Sequence, residues 1–151
     1  MPNMIAPEDL RDLIRSGLLS FPVTPFDCEG AFNPHAFAAH LEWLSPHKIA
    51  GLIVAGGTCE LFSLAPAEVI DVVKTARVVQ PTKPVIAGCG YGTRMACDMA
   101  QQIEAAGGDG ILLLPHYLIN APQDGIAAHI RAVCNSTQMG GIIYNRGHSV
   151  V

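Results

Sequence analysis

Residues 84–115 read PVIAGCGYGTRMACDMAQQIEAAGGDGILLLP. An apolar run at 84–87 leads into the glycine loop Gly88-Cys89-Gly90-Tyr91-Gly92. Ala96, Met99, Ile103 and Ala106 follow at intervals of three and four, which puts them on one face of a helix. Thr93 stands where a cap belongs, and Gly107-Gly108 supplies the stop. A second apolar run occupies 110–114. Neither run alternates, so both of its faces are buried, as in a parallel sheet covered by helices. The stretch therefore predicts a strand, a crossover helix and a parallel strand.

The same unit repeats in both directions. Apolar runs stand at 18–23, 51–55, 84–87, 110–114 and 141–144, at intervals of about 26 to 33 residues, the length of a strand, a helix and two loops. Phe37, Leu41 and Leu44 share a helical face behind Asn33-Pro34, a capping residue followed by proline at the first helical position. Val69, Val72, Val73 and Ala76 form the next stripe, opposite Glu68, Asp71 and Lys74; Pro66 opens that helix although Ala65 is a poor cap. Ile126, Ile130 and Val133 form another stripe after Pro122. These stripes are expected to pack on strands.

Two architectures use this order, an open doubly wound sheet and an eight-fold barrel. Even spacing favours the barrel. A complete barrel needs about 250 residues, whereas this chain has 151 residues and a mass of 16.0 kDa. The expectation is an α/β fold: a truncated TIM (β/α)8 barrel holding about the first five strands and four helices. Residues 1–151 are then the N-terminal part of one barrel domain.

Composition removes other classes. With 50% hydrophobic and 15% charged residues the chain can bury a core, so disorder is excluded as its main state. Its net charge is −4, and nine scattered Lys and Arg leave no footprint for nucleic acid or an anionic membrane. No apolar run approaches the length of a membrane span, and the acidic and basic start is unlike a secretory leader. Five cysteines, Cys28, Cys59, Cys89, Cys97 and Cys134, lie far apart with no C-x-x-C, which reads as reduced cytosolic thiols packed as small apolar side chains. The histidines have no metal-ligand spacing.

In both architectures ligands sit at the carboxyl ends of strands. The loop after the first run, Phe21-Pro22-Val23-Thr24-Pro25-Phe26, is stiffened by two prolines; Thr24 reads as part of a rigid loop rather than a ligand contact. After the second run, Ala55-Gly56-Gly57-Thr58-Cys59-Glu60 pairs consecutive glycines with a hydroxyl. Such a loop can turn several N–H groups toward one carboxylate or phosphate, and a plain tight turn fits it equally. It lacks the Lys-Ser/Thr ending of a nucleotide loop. Gly88-Cys89-Gly90-Tyr91-Gly92 has the wrong spacing for a dinucleotide fingerprint. His116 and Tyr117 follow the fourth run, where they could line a site or pack on a neighbouring chain. The fifth run ends Tyr144-Asn145-Arg146, a phenol beside a guanidinium that attracts carboxylates. A phenol relays protons only where it is hydrogen-bonded and partly desolvated.

Taken jointly, Gly56-Gly57-Thr58-x-Glu60, the 110–115 segment, Ala121-Pro122-Gln123-x-Gly125 and Tyr144-Asn145 resemble the dihydrodipicolinate synthase / N-acetylneuraminate lyase superfamily. The stretches 19–24, 90–93 and 144–146, with glycine at Gly57, are similar to its 5-dehydro-4-deoxyglucarate dehydratase branch. The resemblance implies an eight-fold barrel lyase, a hydro-lyase that uses no metal and no cofactor. In it a lysine on the sixth strand forms a Schiff base with a keto sugar acid, and the protonated imine serves as electron sink. It further implies a catalytic proton relay at Tyr144, substrate-carboxylate binding by Gly57 and Thr58, a subunit contact near Tyr117 and a homo-oligomer for the full-length family. That branch converts 5-dehydro-4-deoxyglucarate to 2,5-dioxopentanoate with loss of water and carbon dioxide.

The chain also departs from that pattern. Its three lysines, Lys48, Lys74 and Lys83, fall before strands or on a helix, and none is placed for a sixth strand. Residues 147–151 leave the family's pattern, the ending expected of a truncated or frameshifted product. Cys59 replaces the usual glycine, which predicts backbone strain where a turn prefers positive φ. The expectation is a dehydratase by descent that is inactive as this chain. The rivals are another member of the same superfamily, a non-catalytic half-barrel that pairs with another chain, and a self-contained doubly wound small-molecule binder.

Overall fold

The computed structural model describes residues 5–115 and 121–145. Its elements run α1 (Pro7–Ile14), β1 (Leu18–Ser20), α2 (Pro34–Leu44), β2 (Ile49–Val54), a 3-10 turn (Leu61–Ser63), α3 (Pro66–Val79), β3 (Val85–Cys89), α4 (Thr93–Ala105), β4 (Gly110–Leu113), α5 (Gln123–Cys134) and β5 (Gly140–Ile143). The strands form one sheet in the order β1-β2-β3-β4-β5, each pair parallel. That sequential order belongs to a barrel wall. A doubly wound sheet would carry its first strand in the interior, so that alternative falls.

Side-chain direction follows the pleat. Cys89 points its Sγ at the Ala96 carbonyl of α4, 3.3 Å away. By alternation Val85 and Ala87 also face the helices, while Ile86 and Gly88 face the opposite side with their register partners Gly110 and Leu112. Phe37, Leu41, Val69, Val72, Val73, Ala76, Ala96 and Ile103 are fully buried in one continuous core with the strands.

The caps decide where the helices begin and end. Asn33 accepts a hydrogen bond from the Ala36 N–H at 3.0 Å, as the sequence predicts. Ala65 has no side-chain acceptor, and Glu68 compensates by reaching back to the Ala65 N–H at 2.8 Å. Thr93 is not the cap of α4. Gly92 takes that position, and the Thr93 hydroxyl instead pairs with His129 Nδ1 of α5 at 2.8 Å. The end of α4 is as read: Gly107 adopts φ +93°, and the N–H groups of Gly107 and Gly108 return to the carbonyls of Glu104 and Ile103.

Two elements depart from the sequence reading. A fifth helix, α1, precedes β1, and its Leu10 is 2% exposed. Leu10 packs where glycines begin β4 and β5: a Cβ at Gly110 would lie 2.7 Å from its Cδ2. α1 thus covers the amino end of the sheet. Of the α5 stripe only Val133 is buried, while Ile126 and Ile130 are half-exposed. α5 packs on α4 and on no later helix among the described residues.

Candidate functional site

Parallel strands in sequential register bring every strand's carboxyl end to one rim. Cys89 pairs with Leu113, and Leu113 with Ile143. Val54 pairs with Ala87, so the loop at 55–60 leaves the sheet beside the last two residues of β3. The rim therefore collects Gly57 and Thr58 after β2, the 90–93 loop after β3, and Tyr144 after β5. Three inter-strand steps, about 14 Å along the sheet, separate β2 from β5.

The glycine–threonine loop has a specific construction. Ala55 leaves β2 at φ +47° and sends its carbonyl across β3. A Cβ on Gly88 would sit 1.9 Å from that oxygen, which is why position 88 must be glycine. The Gly56 carbonyl accepts from the Cys59 N–H at 3.1 Å and the Leu61 N–H at 3.0 Å; that of Gly57 accepts from Glu60 at 3.3 Å. These bonds leave the N–H groups of Gly57 and Thr58 unengaged by the turn. Both residues are exposed, and nothing lies within 4 Å of a Cβ built on Gly57. Two N–H groups and a hydroxyl thus stand together on an exposed turn, residue types suited to an anion.

Thr24 is committed to this loop. It is 7% exposed, and its hydroxyl donates to the Cys59 carbonyl at 2.7 Å, as the rigid-loop reading requires. The strain expected at Cys59 is absent. Positive φ falls on Ala55 and on Glu60 (φ +66°) instead. Cys59 is fully buried, with its Sγ 3.5 Å from the Ile53 carbonyl, and burial pushes its thiol pKa up. The left-handed step of the turn is taken one residue later, so the side chain at 59 packs inward without backbone cost.

Tyr144 extends β5 by one residue, its N–H donating to the Leu113 carbonyl at 2.9 Å. Its side chain is 44% exposed. Among the described residues no hydrogen bond reaches the Tyr144 or Thr58 hydroxyl, so these residues alone do not meet the conditions for a proton relay. His116, Tyr117 and Arg146 lie outside the described residues.

Sequence reasoning passed over Tyr91 as an ordinary loop residue. It adopts φ +70°, its hydroxyl donates to the Leu61 carbonyl at 3.1 Å, and its ring meets Phe62 edge-on at 5.6 Å. Burial raises its pKa, which keeps the phenol a donor. Its signal in the sequence was a large side chain between two glycines.

The lysines stand elsewhere. Lys48 and Lys83 precede β2 and β3 at the amino end, and Lys74 lies on α3, 3.4 Å from Asp71. No cluster of three ligating side chains that could hold a metal occurs among the described residues. No helix among them is long and apolar enough to cross a membrane.

A sequence model of the dihydrodipicolinate synthetase family matches residues 15–150. Two curated relatives carry the name probable 5-dehydro-4-deoxyglucarate dehydratase. The one from Rhizobium meliloti is 53% identical over 146 residues, 97% of this chain and 48% of the relative. The one from Allorhizobium ampelinum is 51% identical over 145 residues, 96% of this chain and 48% of the relative. The chain thus spans about half the length of the curated relatives it matches. Among solved structures, a dihydrodipicolinate synthase from Agrobacterium tumefaciens superposes with a TM-score of 0.87 at 28% identity, covering 94% of this chain and 48% of that one. A dihydrodipicolinic acid synthase family protein from E. coli K12, in complex with pyruvate, gives 0.83 at 22% identity, covering 89% and 46%, and bears on the fold alone.

Proposed function

The chain belongs to the dihydrodipicolinate synthetase family, and from that premise we propose that its rim serves a Schiff-base lyase of the 5-dehydro-4-deoxyglucarate dehydratase type. The observation that carries the proposal is the donor set at Gly57 and Thr58, unengaged among the described residues and on the same rim as Tyr144. Identity near one half to dehydratases of that name supports the substrate class.

In this reading the carboxylate beside the ketone accepts from the N–H groups of Gly57 and Thr58 and from the Thr58 hydroxyl. A lysine amine condenses with the ketone and releases water. The resulting iminium draws electrons from the neighbouring carbon, so a proton leaves there, the hydroxyl one carbon further on departs as water, and carbon dioxide follows. Tyr144 passes the protons. Hydrolysis of the imine returns the amine and 2,5-dioxopentanoate. Lys48, Lys74 and Lys83 all stand away from the rim, so the amine comes from outside these 151 residues. The homo-oligomer belongs to the same proposal, as does Tyr117 at a subunit contact.

Borohydride added with a 2-oxo acid tests the assignment of the amine. The expected result is no covalent adduct on this chain, together with weaker 2-oxo acid binding in Thr58→Val. An adduct on Lys48, Lys74 or Lys83 would overturn it.

Edge exposure favours a second reading, a non-catalytic half-barrel that pairs with another chain. Leu18 of β1 is 65% exposed and Ile143 of β5 45%, and each strand has one neighbour in the sheet. Sedimentation separates the two: a stable monomer argues against pairing.

A further inference from the structure

We propose that Tyr91 is a positioning residue, a latch from the loop after β3 that holds the Gly57–Thr58 donor set in its anion-ready shape. The proposal rests on the carboxylate-loop reading above. Tyr91 sits at φ +70° between Gly90 and Gly92, either of which could have taken the left-handed conformation at lower cost. A strained tyrosine in that place requires compensation, and the structure shows where it comes from. The phenol hydroxyl donates to the Leu61 carbonyl at 3.1 Å and lies 3.5 Å from that of Leu64. The ring rests edge-on against Phe62. Leu61 in turn donates its N–H to the Gly56 carbonyl at 3.0 Å. The path is short: Tyr91 fixes Leu61, Leu61 fixes Gly56, and Gly56 sets the direction of the Gly57 and Thr58 N–H groups. On the opposite flank Thr24 ties the Cys59 carbonyl at 2.7 Å. The donor loop is therefore pinned from both neighbouring strands, by a hydroxyl on each side, and its own exposed residues remain free to meet a ligand.

The test compares the 151-residue chain with its Tyr91→Phe variant, which keeps the ring and the backbone conformation and removes only the hydroxyl. Pyruvate, the simplest 2-oxo acid, is titrated calorimetrically, and amide exchange is followed at Cys59, Glu60 and Leu61. The latch predicts faster exchange at these three amides, unchanged exchange at Ile111 and Leu112 of β4, and pyruvate binding weakened by about three- to tenfold, the worth of one neutral hydrogen bond. A Tyr91→Gly variant, which relieves the strain but loses the hydroxyl, is expected to bind as weakly as Tyr91→Phe. Equal exchange and equal affinity in Tyr91→Phe would overturn the latch, and so would faster exchange at Ile111 and Leu112 with the loop amides unchanged. If the unsubstituted chain gives no heat with pyruvate, the carboxylate reading fails, and the latch then stands or falls on exchange alone.

Discussion

Glu68 is half-buried at the start of α3 and accepts two backbone N–H groups, from Phe32 at 2.7 Å and Ala65 at 2.8 Å. The bond from Phe32 is the larger cause and that from Ala65 the second, and together they hold its pKa below the ordinary carboxylate value. When pH falls past about 4.3, the reference value for Glu, the unfolded chain takes up the proton first. The stabilisation is therefore complete above that value and is lost as pH drops through the depressed folded value. Urea midpoints measured from pH 6 down to 3 are expected to fall more steeply in the unsubstituted chain than in Glu68→Gln; parallel curves contradict this. The thiols give a second test. Burial pushes the Cys89 pKa up to about 12, with Cys97 and Cys134 adding to the rise. A thiol reagent at pH 8 is expected to label the exposed Cys28 and Cys134 in the native chain, and Cys59 and Cys89 only after unfolding. At this scale the sequence was least informative. Which residue of the 55–60 turn takes positive φ goes with the inward packing of Cys59 and with the Thr24 hydroxyl, a contact from 35 residues away that no local pattern reports.

At the scale of elements, β2 and β3 meet where the Ala55 carbonyl crosses Gly88. Gly88→Ala is expected to cost about 3 kcal/mol or more, since the added carbon meets backbone that cannot move aside. Gly57→Ala, one turn away in open space, is expected to stay within about 0.5 kcal/mol. Thermal and urea unfolding of the two variants check the contrast. At the other end of the sheet Arg77 pairs with Asp109 and donates to the carbonyls of Gly107, Pro81 and Lys83. Asp109 also accepts the Val85 N–H at 2.8 Å. Removing the acid in Asp109→Ala leaves a half-buried guanidinium without its counter-charge and a strand N–H unpaired, a loss of about 3 kcal/mol, the lower end of the range for buried pairs because Arg77 keeps its carbonyl partners and is partly solvated. Elements with a full hydrophobic stripe between two apolar runs, such as α3 and α4, were legible because burial on one face dictates the period. β1 was legible as an apolar run at 18–23 but stops at Ser20, before the prolines at 22 and 25, which cannot donate to a ladder. α1 was not legible: a two-turn helix with one buried anchor, Leu10, leaves too short a pattern to read.

At the scale of the molecule, the repeated strand–helix unit predicted sequential parallel strands, and the sheet order agrees. That order has a functional consequence, because it gathers residues 87 positions apart, Gly57 and Tyr144, at one rim. Which end of a strand a residue occupies could be read from the sequence. Whether its hydroxyl has a partner could not, since partners come from elements distant in sequence. The account rests on a 2-oxo acid being held at that rim. Two-dimensional amide NMR of the chain titrated with pyruvate tests this most directly. The prediction is that Gly57, Thr58 and Tyr144 shift together along one saturating curve; shifts confined to the amino end, around Lys48 and Lys83, or saturation at Gly57 and Thr58 with Tyr144 unmoved, would contradict it.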